Sequence, residues 1–156
     1  MHHNNRVLFF IVGLMCFVSC GNLHVYEQTE TIKNASWPSD KAFRFEYNST
    51  DSLAVKDMFI NFRHTGLYNY NNIYFFVTTI APSGTSIKDT VEFTIADTKG
   101  KWAGSGIGDI YDLRLSFKKK VRFGQLGKYV FNIQHGMRDM KLKEVTDVGF
   151  RIQDSQ

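Results

Sequence analysis

The sequence contains little cysteine and little proline, with two residues of each among its 156. Two cysteines are too few for a disulfide-rich scaffold or for a zinc site built from four thiolates. Charged residues make up 22% of the chain, which is too few for a disordered protein. The formal net charge is only +4, and the basic residues are not clustered as they are in a nucleic-acid-binding protein. No apolar run after residue 19 is long enough to span a bilayer. The length suits one domain.

The first twenty residues have the organisation of an export signal. A short polar segment with one positive charge, at Arg6, precedes an apolar stretch at 7–18, which has the length of a signal-peptide core and is too short for a transmembrane helix. The stretch ends in FVSCG at 17–21, which resembles a bacterial lipobox with Cys20 as the acylated residue. Residues 1–19 are therefore predicted to be a lipoprotein signal peptide. An ordinary secretory signal and an apolar N-terminal helix are the alternatives.

Acylation at Cys20 makes membrane lipid the first expected partner, because several acyl chains give an effectively permanent anchor. Export also separates the protein from cytoplasmic nucleotides, so neither a nucleotide partner nor a cofactor is expected. No acidic cluster follows Cys20, which favours a periplasm-facing position in the cell envelope. The polar segment 20–40 is predicted to be the lipidated N-terminus and a linker, in which 24–28 can still pair as an edge strand.

Apolar and polar residues alternate with a period of two through the rest of the chain, as they do in half-buried β-strands. Such alternation occurs at 42–47, 58–63, 86–95, 113–123, 129–135 and 148–153, and 72–80 is apolar on both faces like a central strand. The only place for a short helix is 137–145. The sequence predicts an all-β domain at 41–156, an antiparallel β-sandwich of jelly-roll or immunoglobulin-like topology.

No motif in the sequence predicts catalysis. Neither a G-x-S-x-G elbow nor an H-E-x-x-H zinc motif is present. His135 shares the apolar side of its strand and is interpreted as a partly buried, hydrogen-bonded histidine. Asp109 and Asp112 lie in one loop, and sequence alone does not place them across a cleft as glycoside hydrolysis requires. We therefore expect no enzymatic activity, no catalytic residue and no metal.

The most unusual segment is DTKGKWAGSGIGD at 97–109. Calcium loops carry oxygen ligands at alternating positions, but here those positions hold Lys99 and Lys101, which repel a cation. A dinucleotide loop leads into a helix, whereas a strand pattern follows this segment. The glycines are interpreted as giving positive backbone torsions to a loop around Trp102, which is structural or contacts a partner.

Three groups of exposed side chains are candidate contact residues. The first group comprises aromatic residues that can contact a protein partner or a glycan, with loop anchoring as the alternative for the two tryptophans: Trp37, Tyr68, Tyr70 and Trp102. The second comprises basic residues of one strand parity, which are either a solvated, edge-protecting face or a contact for anionic headgroups or an acidic partner: Arg114, Lys118, Lys120 and Arg122. The third comprises Ser52 and Thr90, in short D-[ST]-aliphatic patterns that resemble O-glycosylation sites of exported Bacteroidetes proteins and also arise by chance.

Several motifs together resemble one family. They are NASWP at 34–38, INFR at 60–63, NIYFF at 72–76, DTVE at 89–92, GKWAGSGIGDI at 100–110, QHGMR at 134–138 and VTDVGFRI at 145–152. This set is similar to the gliding motility lipoprotein GldH family of Bacteroidetes, and the similarity covers nearly the whole chain. The resemblance implies an outer-membrane lipoprotein without known enzymatic activity, whose partners are other envelope lipoproteins of the gliding and type IX secretion machinery. A carbohydrate-binding β-sandwich is the alternative.

Overall fold

The computed structural model describes residues 25–156, so the predicted signal peptide at 1–19 and the predicted acylation site Cys20 lie outside the described residues. The strands in chain order are β1 Val25–Thr31, β2 Ser36–Pro38, β3 Phe43–Ser49, β4 Val55–Thr65, β5 Asn72–Ile80, β6 Ser86–Thr94, β7 Ser105–Ile107, β8 Ile110–Arg122, β9 Gly127–His135, β10 Lys141–Lys143 and β11 Val145–Asp154. One turn of 3-10 helix follows β1, at Lys33–Ala35. Within 25–156 no helix is long and apolar enough to cross a membrane.

The long strands form two antiparallel sheets, one with the order β1-β11-β4-β8-β7 and one with the order β3-β9-β5-β6. Among the eight long strands, the first pairs with the last (β1 with β11) and the second with the last but one (β3 with β9). The third pairs with the sixth (β4 with β8), and the fourth with the fifth (β5 with β6). This nested pairing is the two-Greek-key arrangement of a jelly roll. The predicted antiparallel sandwich is confirmed, with jelly-roll topology.

The core lies between the two sheets and is rich in aromatic rings. Strand β4 shows the predicted alternation, with Met58, Ile60 and Phe62 buried on one side. At the centre, Phe131 of one sheet meets Phe150 of the other with ring centroids 4.5 Å apart. Burial of each such side chain contributes about 1.5–3 kcal/mol, so the sandwich is held by facing rows of apolar residues.

Two segments differ from the sequence-based prediction. The described part of the segment predicted as a linker belongs to the fold: β1 pairs with β11 along its whole length, as the edge-strand interpretation of 24–28 allowed, and β2 pairs with β10. The short helix at 137–145 is not formed, because β10 lies there with Leu142 fully buried opposite Trp37. Glu144, with a positive φ of 67°, separates β10 from β11.

The sandwich has two ends, which we name by a residue at each. The Val25 end is formed by the start of β1 and by the loops 50–54, 81–85 and 123–126. The His64 end is formed by the end of β4 and by the loops 66–71, 95–104 and 136–140, together with the tip of the β7–β8 hairpin.

Candidate functional site

A cluster of aromatic rings closes the His64 end. His64 is fully buried, and its ring centroid lies 4.7 Å from that of Trp102, 5.2 Å from that of Tyr68 and 5.6 Å from that of Tyr111. Its Nδ1 lies 2.8 Å from the carbonyl oxygen of Thr65, whereas Nε2 has no hydrogen-bond partner within residues 25–156. Since a carbonyl can only accept, Nδ1 carries the proton. Burial lowers the pKa of His64, which favours the neutral ring at pH 7.

The glycine-rich segment folds onto the sandwich through its backbone. The backbone nitrogen of Ala103 donates to the carbonyl of Ile95 at 2.8 Å, and Trp102 lies half-buried over His64. A Cβ at Gly104, where φ is 96°, would lie 2.3 Å from the carbonyl oxygen of Asp112. Glycine is therefore required where this loop crosses β8.

The β7–β8 hairpin extends the His64 end into solvent. Its turn has two residues, with a φ of 65° at Gly108, and Ile107 beside it is 95% exposed. Leu67, which is 75% exposed, lies nearby, because the backbone nitrogen of Gly66 donates to the carbonyl of Asp109 at 2.7 Å. The hairpin therefore presents apolar side chains that the sandwich itself does not cover.

The structure corrects two of the aromatic contact residues. Trp37 is fully buried and donates its indole N–H to the carbonyl of Lys41 at 2.7 Å, and Tyr68 is 4% exposed with its hydroxyl 3.2 Å from the carbonyl of Asn72. Neither ring can contact a partner or a sugar. Tyr70 and Trp102 both remain partly exposed. The four rings therefore do not form one exposed surface. The sequence around Trp37 and Tyr68 resembles a loop, but packing at the end of the sandwich buries both side chains.

The predicted basic stripe is also interrupted. The register of β4 against β8 shifts on both sides of Met58, which brings Lys118 opposite this buried residue. Residues directly opposite in an antiparallel pair share a face, so Lys118 does not lie on the outer face with Arg114. The ammonium of Lys118 instead pairs with Asp89 of β6 at 2.6 Å, which links the two sheets at their edge. Lys120 has a positive φ of 53° and lies in the same irregular region.

The outer face of the five-stranded sheet carries a polar groove of about 540 Å³, within the usual size range of small-molecule sites. Arg63 in its floor pairs with Asp112 and with Asp147, whereas Arg114 makes no ion pair with any residue of 25–156. Sequence reasoning missed this groove. Period-two alternation shows which residues point outward, but only the pairing of β4 with β8 brings them together.

A second groove, of about 410 Å³, lies beside β5 and is lined by Tyr70, Tyr74, Gly136, Met137 and Arg138. The hydroxyl of Tyr70 is held 2.9 Å from both carboxylate oxygens of Asp139. A Cβ at Gly136 would lie 3.1 Å from the Cβ of Tyr74, so the absence of a side chain keeps this groove open.

The structure also shows the surroundings of the predicted O-glycosylation sites and of His135. Ser52 is half-buried in the β3–β4 turn, and Thr90 is exposed on the edge strand β6, so both stay predicted O-glycosylation sites. His135 is buried, with Nε2 at 3.2 Å from the carbonyl oxygen of Trp37, in agreement with its interpretation from sequence. Within residues 25–156, no group of three or more His, Cys, Asp or Glu side chains is placed to hold a metal ion.

Fold and surface define a small jelly-roll protein with a loop-built end and shallow grooves. The profile of the GldH lipoprotein family matches residues 24–152, and the chain belongs to this family. It is 36% identical to the gliding motility lipoprotein GldH homolog of Christiangramia forsetii, over 96% of this chain and 95% of that protein. It is 30% identical to the gliding motility lipoprotein GldH of Flavobacterium johnsoniae, over 98% of each. The resemblance seen in the motifs is thereby confirmed.

Among solved structures, that of infectious bursal disease virus Gx strain matches 86% of this chain and 33% of its own, at 12% identity and a TM-score of 0.40. A likeness at this level supports no conclusion about function. Membership of a lipoprotein family, by contrast, gives the protein a membrane-anchored place in the cell envelope.

Proposed function

We propose that the protein is an outer-membrane lipoprotein that faces the periplasm and serves as a non-catalytic structural or assembly component of the gliding motility and type IX secretion machinery. The observation that supports this is the family match over 24–152, together with near full-length relatives named gliding motility lipoproteins. Cys20, at the end of the lipobox, is the proposed point of acylation.

The proposed partner surface is the His64 end, and the proposed partners are other envelope lipoproteins of the machinery. Ile107 and Leu67 offer apolar area at this end, and β7 is a short, fully exposed strand at the edge of the five-stranded sheet. An exposed edge and apolar side chains at one place are the features through which a sandwich binds a second protein. The guanidinium of Arg114 lies beside β7, makes no ion pair within residues 25–156, and can contact an acidic group of the partner.

Photocrosslinking in cells tests this surface. A photoreactive amino acid at Ile107 or Leu67 is expected to capture envelope lipoproteins, identified by mass spectrometry. The matched control is Leu126, which is 60% exposed at the Val25 end and is expected not to capture the same proteins. Equal capture from Leu126, or capture of abundant porins alone from all three positions, would refute the proposed partner surface.

The anchor has its own test. The Cys20→Ala variant is expected to lose membrane retention and to appear in the soluble periplasmic fraction, because the acyl chains that hold the protein are absent. Finding this variant still acylated in the outer membrane would refute Cys20 as the attachment site.

Carbohydrate binding is the second candidate, and the groove of Tyr70 and Tyr74 is the observation that favours it. Two partly exposed rings with Arg138 beside them suit a sugar ring that stacks on an aromatic face. A glycan array on the wild type and on Tyr74→Ala tests it. Binding that the variant loses supports this function, and no binding to peptidoglycan or common polysaccharides rejects it.

A further inference from the structure

The start of β1 fixes where the N-terminal side of the chain enters the sandwich. Val25 pairs with Gln153, and the neighbouring backbone nitrogen of Ser155 donates to the carbonyl of Val55 at 2.9 Å. β1 is separated from β4 by β11 alone, so Val25 lies two strand spacings, about 10 Å, from β4. The chain therefore enters beside the loop 50–54, at the Val25 end and not at the His64 end.

The distance between the proposed acylation site and this entry point is short. Five residue steps separate Cys20 from Val25, and a chain covers at most about 18 Å in five steps. Strand β4, with 11 residues, spans about 36 Å between the two ends. An acyl anchor at Cys20 therefore holds the Val25 end near the lipid surface, while the His64 end lies beyond the reach of the tether.

The loops of the Val25 end form one continuous surface. Ser49 pairs with Gly127, so the loop 50–54 lies beside the loop that carries Leu126. The backbone nitrogen of Ser83 donates to the side-chain oxygen of Gln125 at 3.1 Å, which joins the third loop to the second. Two leucines, one on each of the first two loops, point into solvent: Leu53 is 76% and Leu126 is 60% exposed.

Unpaired basic side chains flank these leucines. Lys119, Lys120 and Arg122 at the end of β8 are exposed, and their side chains make no hydrogen bond or ion pair with any residue of 25–156. Val55 pairs with Arg122, which places these cations next to the loop that carries Leu53. Apolar tips with Lys and Arg beside them match a lipid surface, where apolar groups enter the headgroup layer and cations meet phosphates.

Exposure alone does not select this end, because Leu67 and Ile107 are exposed to a similar degree at the His64 end. The short segment between Cys20 and Val25 selects the Val25 end, since only this end lies within reach of the proposed acyl anchor. The same similarity supplies matched controls for an experiment.

We propose that the Val25 end is a membrane-facing surface, on which Leu53 and Leu126 enter the headgroup layer while Lys119, Lys120 and Arg122 contact lipid phosphates. This orientation rests on the proposed anchor at Cys20. It directs the His64 end, with its glycine-rich loop and the β7–β8 hairpin, away from the membrane.

Depth-dependent fluorescence quenching tests the orientation on the full-length lipoprotein. Cys16 is removed with the predicted signal peptide and Cys20 is blocked by its lipid, so an introduced cysteine is the single reactive thiol. Leu53→Cys and Leu126→Cys, labelled with an environment-sensitive dye in vesicles of phosphatidylethanolamine, phosphatidylglycerol and nitroxide-labelled lipid, are expected to be strongly quenched. Leu67→Cys and Ile107→Cys are expected to keep the fluorescence they have in vesicles without nitroxide.

The outcomes separate the orientation from the anchor. Proteins that float with the vesicles but show equal quenching at both ends, or stronger quenching at Leu67 and Ile107, would overturn the membrane-facing surface and leave the anchor intact. Failure to float would overturn the anchor and the orientation together.

A charge-reversal pair tests the contribution of the cations. Lys119→Glu with Arg122→Glu is expected to reduce quenching of the dye at Leu126 in phosphatidylglycerol vesicles. Lys99→Glu with Lys101→Glu, at the His64 end, makes the same change in net charge and is expected to leave that quenching unchanged. An equal effect of both pairs would show that net charge, and not this surface, meets the lipid.

Discussion

Two tryptophan–histidine pairs, one on each sheet, invite comparison. Trp37 packs edge-to-face on His135 of β9 at 5.4 Å, and Trp102 packs edge-to-face on His64 of β4 at 4.7 Å. In each pair the histidine is buried and bonds one ring nitrogen to a backbone carbonyl. Trp37, however, is fully buried on the short β2–β10 sheet, whereas Trp102 is half-buried on a glycine-rich loop. The same edge-to-face contact between tryptophan and histidine is therefore part of the core at Trp37 and part of a surface loop at Trp102.

The largest expected effect is that of Trp37→Ala. The change removes a fully buried indole and its hydrogen bond to Lys41, so the free energy of unfolding falls by about 3–5 kcal/mol. Denaturant unfolding followed by circular dichroism measures this loss. A decrease below about 1 kcal/mol would mean that Trp37 is not the core residue of the pair.

Gly104→Ala tests the loop side of the comparison. Its Cβ would lie 2.3 Å from a carbonyl oxygen at a φ of 96°, so the loop must shift, at a cost of about 1–3 kcal/mol. Gly100→Ala is the control, because its φ is also positive, at 78°, but nothing lies within 4 Å of the added carbon. Thermal unfolding is expected to separate the two variants, and equal values would show that the backbone torsion alone matters.

Trp102→Ala is expected to cost less than Trp37→Ala, about 1–2 kcal/mol, because the Trp102 side chain is only partly buried. Its main effect is local. Amide hydrogen exchange is expected to accelerate in 96–107 while β9 stays protected. Acceleration throughout both sheets would place Trp102 in the core alongside Trp37.

The smallest effect concerns pH. Burial lowers the pKa of both His64 and His135 from the ordinary value of 6.5. Below that value the unfolded chain binds more protons than the folded one, so stability is complete above about pH 6.5 and falls as the pH drops toward the folded-state pKa values. The Tm is therefore expected to fall as the pH is lowered from 7 to 5. His64→Phe should flatten part of this slope, and an unchanged slope would assign it to other groups.

The strands are predictable from sequence because their signal is local. Period-two alternation locates β3, β4, β6, β8, β9 and β11, a run that is apolar on both faces locates β5, and the motifs identify the family. A local pattern does not show which strands pair with each other. The choice between a jelly-roll and an immunoglobulin-like strand order depends on the pairing of β1 with β11, which only the structure shows. For the same reason the sequence leaves Trp37 open between a contact residue and a loop anchor, and the structure excludes the contact role. The strand that buries it, β10, comes about a hundred residues later in the chain.

The basic stripe shows another limit. The interruption at Lys118 arises from extra residues in β8 relative to β4, and a run of three lysines gives no sign of where a bulge falls. The sequence correctly indicates Trp102 as the centre of a folded loop, because the glycines around it mark unusual backbone torsions. His64, which organises the rings at that end, is recognisable in sequence only as a histidine at a strand end.

The position of β1 also determines how the protein resists force. This strand is held to β11 by seven register pairs, whose hydrogen bonds run across the strand axis. Suppose that the chain ahead of Val25 is pulled in one direction and the His64 end is pulled in the other. The resulting tension acts along β1. It strains all of these bonds at once in shear, whereas a sideways pull would open them one after another. The fold therefore resists tension best along the line that joins the start of β1 to the His64 end.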